Sequence, residues 1–167
     1  MEWIRVFYLD ASALVKLFTK EAGSETIERF LKTEATSRFV TTSLCFAETL
    51  GVLKAKHKRR EISDEQYLAA ADELTAYVSE GLLLIADVNI ADDSVFGEVE
   101  RLVRRYKIGI DLSDAFQIVT VTRDYFSRFP ETKPILITAD GLLADAARSE
   151  GLKVWNCLNE PPPYETT

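Results

Sequence analysis

Short apolar runs rich in β-branched and aromatic residues alternate with helical runs along this chain, and that alternation leaves few folds open. Ile4 to Leu9 reads as a strand, Ala11 to Phe18 and Ser24 to Lys32 as helices, Arg38 to Thr42 as a second strand, and Leu44 to Lys58 as a helix. Ser63-Asp64-Glu65-Gln66 is a capping box opening a helix that Gly81 stops. Leu82 to Val88 reads as a strand and Asp92 to Lys107 as a helix, and Ser113 is expected to cap a helix running to about Ser127. Ile135 to Thr138 is a strand, Gly141 to Glu150 a helix stopped by Gly151, and Lys153 to Trp155 a last strand. This order predicts a three-layer α/β/α sandwich with a mostly parallel central sheet and crossover helices on both faces. In such sheets ligands bind outside the carboxyl ends of the strands, which is where chemistry is to be sought.

The 167 residues suffice for one domain, expected over residues 1–158, with a short Pro-rich tail over 159–167 that is extended and poorly ordered. With 47% hydrophobic and 28% charged residues, the composition is that of a globular chain. Two cysteines, Cys45 and Cys157, exclude a disulfide framework and a four-cysteine zinc site; one histidine, His57, excludes mechanisms that need two imidazoles. Cys45 and His57 lie about three turns apart on one predicted helix, too far apart to act as a pair. No two of the seven glycines are close enough for a phosphate-cradling loop. No apolar run approaches a membrane span and no leader is visible, so a cytoplasmic protein without membrane contact is expected. The net charge of −7 runs against the basic excess usual in nucleic-acid binders.

Two predicted strands run straight into an aspartate. Val6-Phe7-Tyr8-Leu9 leads to Asp10, and Ile135 to Ala139 leads to Asp140. If both strands are parallel, both carboxylates stand at one sheet edge. Taken singly, each is an ordinary helix N-cap. Two further acids sit oddly within helices. Glu48 is the only charge between Leu44 and Leu53, and as an unpaired buried carboxylate it would need a cation, a basic partner or an opening to water. Asp114 heads the run to Thr122, which contains no other charge; its plainest reading is a helix-start acid. Asp111 is a fifth candidate of open role, one turn before Asp114. Asp87, Asp92 and Asp93 read as cap and first-turn acids. The basic stretches Lys54 to Arg60 and Arg101 to Lys107 read first as solvated helix faces that can add phosphate contacts, and Lys16 is a candidate substrate contact near the first acid.

Asp10-Ala11-Ser12 after the first strand, Phe46-Ala47-Glu48 on a middle helix, Leu112-Ser113-Asp114-Ala115 opening a later helix and Thr138-Ala139-Asp140 after the fourth strand together resemble the PIN domain. In particular they resemble the VapC-type toxins of prokaryotic toxin–antitoxin pairs, over most of the chain from Val6 to Trp155. By position, the resemblance makes Asp10, Glu48, Asp114 and Asp140 the metal-binding and catalytic acids and gives Ser12 and Thr138 supporting hydroxyl contacts. It implies a metal-dependent endoribonuclease acting on RNA, a homodimer and a small antitoxin partner. The helical pair Leu44 to Lys58 and Asp64 to Glu80 is the expected antitoxin-facing surface.

Carboxylates select hard cations, so Mg²⁺ or Mn²⁺ is the expected cofactor. Such an ion neutralises the acids, activates water and needs no histidine base or nucleophilic Ser or Cys. Two rivals stand beside this reading. A phosphotransfer enzyme or phosphatase with Asp10 as nucleophile would want a second Asp two residues on, where Ser12 stands. A catalytically idle PIN-like binding scaffold would have no use for Glu48.

Overall fold

The computed structural model describes residues 5–123 and 134–163. Its centre is a five-stranded, wholly parallel sheet of β1 (Val6–Leu9), β2 (Arg38–Thr41), β3 (Leu84–Ile85), β4 (Ile135–Thr138) and β5 (Lys153–Asn156), in the order β3-β2-β1-β4-β5. The inner strands are buried on both faces, which is why Val-Phe-Tyr-Leu and Ile-Leu-Ile-Thr read as continuous apolar runs rather than as alternation. Successive side chains nonetheless go to opposite layers. Val6, Tyr8, Val40 and Leu136 pack with α5 (Asp93–Tyr106), α6 (Leu112–Arg123) and α7 (Gly141–Ser149). Phe7, Leu9, Ile135, Ile137 and Trp155 pack with α1 (Ala11–Phe18), α2 (Ser24–Thr33) and Leu74 of α4 (Asp64–Ser79). A small third cluster of Val15, Leu53 and Ala70 seats α4 and α3 (Ser43–Lys58) on α1.

The strand order creates the site. From β1 the chain builds outward through β2 to β3, then crosses back to β4 beside β1 and continues to β5. The helix leaving β1 packs on one face of the sheet and the helix leaving β4 on the other. Their connecting turns therefore diverge and open a crevice at the carboxyl ends of β1 and β4. The pairing Leu9↔Ile137 and the bond from Asp10 N to Ile137 O (3.0 Å) place Asp10 and Thr138 side by side across it.

Several expectations need correction. The third strand is two residues long rather than Leu82 to Val88: it pairs only with the end of β2, and β2 stops where Thr42 turns into the cap of α3. Leu82 and Leu83 belong instead to the turn closing α4, with Gly81 in the left-handed region (φ +73°) and Leu83 N bonded to Tyr77 O. Asp111, not Ser113, caps α6: its Oδ1 accepts from Asp114 N at 3.0 Å, and Asp114 Oδ2 accepts from Asp111 N at 3.0 Å. The expected continuation of that helix to Ser127 falls outside the described residues. The start of the tail is held rather than loose. Glu160 accepts two bonds from Arg148 and one from Asn156 N, its carbonyl accepts from Trp155 Nε1, and Pro162 is buried. The capping box of Ser63 and Gln66 is formed in both directions. Among the described residues no helix is long and apolar enough to cross a membrane.

Leu136, fully buried on β4 between β1 and β5, is a sensitive point of this framework. Leu136→Ala is expected to destabilise the fold by about 2–5 kcal/mol, read as a lowered urea midpoint at unchanged slope.

Candidate functional site

Asp10 ends β1 and caps α1 in one step. Its backbone is extended, and its Oδ2 accepts from Ser12 N at 3.2 Å. The same oxygen accepts from Ser12 Oγ at 2.5 Å and from Thr138 Oγ1 at 2.9 Å. Both hydroxyls are themselves held: Ala139 N donates to Ser12 Oγ, and Asp140 N donates to Thr138 Oγ1, each at 2.9 Å. The turn after β4 is thus wired to the turn after β1. Oδ2 accepts from three donors, whereas the Cys45 thiol lies 3.9 Å from Oδ1. Asp10 is 6% exposed, and Oδ1 is the oxygen that Ser12 and Thr138 leave open.

The other acids approach the crevice from their own helix starts. Asp140 caps α7 with one oxygen, Oδ1, which accepts from Leu142 N (2.7 Å) and Leu143 N (3.2 Å). Asp114 occupies the first turn of α6 and binds Asp111 reciprocally. Glu48 projects from α3 toward α6, where Ser113 Oγ donates to its Oε2 at 3.1 Å. Of the choices open to Glu48 in its apolar surroundings, the structure takes the opening to water, since Leu44, Ala47, Glu48 and Gly51 are all exposed.

The electrostatics show that these groups share one environment. Burial pushes the Asp114 carboxyl up to about 7, the amide of Asp111 opposes the rise, and the charges of Asp111, Asp10 and Asp140 add to it. Burial likewise raises Asp10 against the pull of Ser12 and Thr138. Glu48 is raised by burial and by the charges of Asp10 and Asp111, with Ser113 opposing. The charges of Asp111, Asp10 and Asp140 thus disfavour ionisation of Asp114, and those of Asp10 and Asp111 disfavour that of Glu48. Among the described residues no three His, Cys, Asp or Glu side chains stand close enough to form a ready-made ion cage.

Oxygen donors of this kind suit a hard cation. Burial and the charge of Asp10 push the Cys45 thiol up to about 12, which favours the protonated thiol over a thiolate nucleophile. His57 is engaged elsewhere, with Nε2 2.6 Å from Asp64 Oδ1 and its ring stacked on Tyr67.

Lys16 does not offer its charge to the crevice. Its side chain is 7% exposed and its ammonium lies 2.7 Å from Glu21, which also pairs with Lys56 at 2.9 Å. Within the basic stretches Arg59 pairs with Glu61, Arg101 and Arg105 with Glu150, and Arg104 with Glu100. Two residues at the site escaped the sequence reading, Cys45 and Gln117. The signal was present for Gln117, a long polar side chain within the apolar run that follows Asp114.

A family model described as PIN domain matches residues 7–154. Among solved structures, the chain is similar to PAE2754 from Pyrobaculum aerophilum, at 19% identity over 90% of this chain and 89% of that one, with a TM-score of 0.54. That similarity is one of fold. No curated protein matches the chain.

The raised acids have a thermodynamic signature. A carboxyl lifted from 3.8 to about 7 makes the folded state bind more protons than the unfolded state between those values, so its contribution lowers stability as pH rises through that window. In EDTA, urea unfolding of the parent is expected to lose stability relative to Asp114→Asn from about pH 4 to about pH 7. Parallel profiles for the two proteins would contradict the shift.

Proposed function

This chain belongs to the PIN domain family, and from that premise we propose that it is a Mg²⁺- or Mn²⁺-dependent endoribonuclease, the VapC-type toxin of a toxin–antitoxin pair. PIN domains are in general nucleases that use divalent ions. The observation that carries the reading is the elevation of Asp114, Asp10 and Glu48 at the crevice between β1 and β4, by burial at all three and also by neighbouring carboxylates at Asp114 and Glu48. Carboxyl groups that oppose one another's charge have much to gain from a dication.

Asp10, Glu48, Asp114 and Asp140 are the residues that would hold the ion. Ser12 and Thr138 fix the Asp10 carboxylate through Oδ2 and leave Oδ1 directed away from them. Ser113 orients Glu48, and Asp111 anchors the turn that carries Asp114. When bound, the ion supplies an acidified water and charge stabilisation at a scissile phosphate. Buried Asp10 and half-buried Asp114 provide the low-dielectric wall against which that charge interaction gains strength. The residues supply no imidazole base at the site, and none is required.

The choice of RNA over DNA, the antitoxin and the homodimer rest on the resemblance to VapC-type toxins carried by the four acidic motifs, and the proposed cytoplasmic setting rests on the sparse cysteines. The pair α3 and α4 is proposed as the antitoxin-facing surface, from which a basic side chain of the partner would reach the acidic crevice. A local metal site also reconciles the net charge of −7 with a polyanionic substrate, since attraction arises at the ion and not from the whole surface.

Asp10→Asn is expected to reduce RNA cleavage by more than the roughly 10- to 100-fold typical of losing a group that merely orients a ligand. Its urea midpoint should be equal to or above the parent's, because one repelling charge is gone. Undiminished cleavage by pure Asp10→Asn protein would refute the assignment. Calorimetric titration with Mn²⁺ should show weaker binding by Glu48→Gln; equal affinity would remove Glu48 from the site.

A further inference from the structure

Gln117 lies one turn beyond Asp114 on α6, is 1% exposed, and has apolar neighbours in sequence on both sides, Phe116 and Ile118. Its Oε1 stands 3.1 Å from the Sγ of Cys45, which is itself fully buried on α3. Its Nε2 is buried and, among the described residues, has no hydrogen-bond partner. An unpaired buried amide N–H destabilises a fold, so packing does not explain a glutamine here. Leucine or methionine would fill the space without that penalty.

The sulfur also lies 3.9 Å from Asp10 Oδ1. A thiol has one hydrogen, and here it has two candidate acceptors. The shorter contact directs it to the glutamine carbonyl. The reverse amide orientation would set an N–H against sulfur, a poor acceptor. With Oδ2 engaged by Ser12 and Thr138, a hydrogen bond from the thiol would fall on Oδ1, the oxygen that those side chains leave open.

We propose that Gln117 is a positioning residue of the acidic pocket: it draws the Cys45 thiol hydrogen away from Asp10 Oδ1, so that this oxygen keeps its lone pairs for a hard dication. The inference rests on the crevice being a cation site. Gln117 acts through Cys45 and touches neither ion nor substrate. The arrangement explains both anomalies together, a polar residue in an apolar layer and its half-satisfied amide.

The test compares the parent, Gln117→Leu and the double variant Cys45→Ala/Gln117→Leu by Mn²⁺ calorimetry. Gln117→Leu should bind Mn²⁺ roughly two- to tenfold more weakly, the size of one hydrogen bond's net effect, while melting no lower than the parent. The double variant, with no thiol left to compete, should return to within about twofold of the parent, a rescue that a packing defect would not show. Should leucine not fit, Gln117→Met, of nearly the same shape, gives the same comparison. Metal-free infrared spectra in a Cys157→Ala background isolate the S–H band of Cys45, which should shift in Gln117→Leu as the thiol loses the amide carbonyl at 3.1 Å. An unmoved band, or a double variant as weak as the single one, overturns the role of Gln117 even where the parent binds Mn²⁺. A parent that binds no Mn²⁺ overturns the cation reading and with it the purpose assigned to the pair.

Discussion

A carboxylate taken out of water must find compensating charge or donors, and in this fold that requirement falls on Asp10, at the end of the central strand. The β1 terminus lies at the point where the strand order reverses, so the residue after Leu9 enters a crevice walled by protein on both sides. Three donors from Ser12 and Thr138 meet one of its oxygens, and those hydroxyls are themselves fixed by the amides of Ala139 and Asp140. The turn after β4 is thereby set by the needs of the acid on β1. A change at Thr138 would disturb Asp10 and the start of α7 together, because one hydroxyl serves both.

The same constraint limits the chemistry. Burial raises Asp10, Glu48 and Asp114, and neighbouring carboxylates add to the rise at Glu48 and Asp114. Burial beside Asp10 keeps the nearby thiol protonated, and the only imidazole is occupied at the α3–α4 turn. Carboxylate oxygens are what remains, a donor set that suits hard divalent ions.

Much of this was legible along the chain. The strands β1 and β4 are so apolar that their bounds can be read directly, and the acids that follow them are conspicuous for ending such runs. Glu48 and Asp114 stood out as lone charges in uncharged helical stretches. The short β3 was overread because Leu82 to Val88 has the composition of a strand, whereas its length is set by the partner, and β2 ends at Thr41. Asp111 looked roleless because a reciprocal cap between two aspartates three apart resembles any pair of acids at a helix start. Lys16 was misplaced for a related reason: helical spacing says which face it occupies, not that Glu21 waits there.

Local sequence determined by itself the element types and most of the caps, because propensity, burial pattern and capping act over a few residues. Only the tertiary structure decided that strands far apart in sequence lie side by side, that Ser12 and Thr138 serve the same oxygen, and that Cys45 and Gln117 meet behind it. Those contacts join residues dozens to more than a hundred positions apart, and they arise from the order in which strands enter the sheet, which no short stretch of chain encodes.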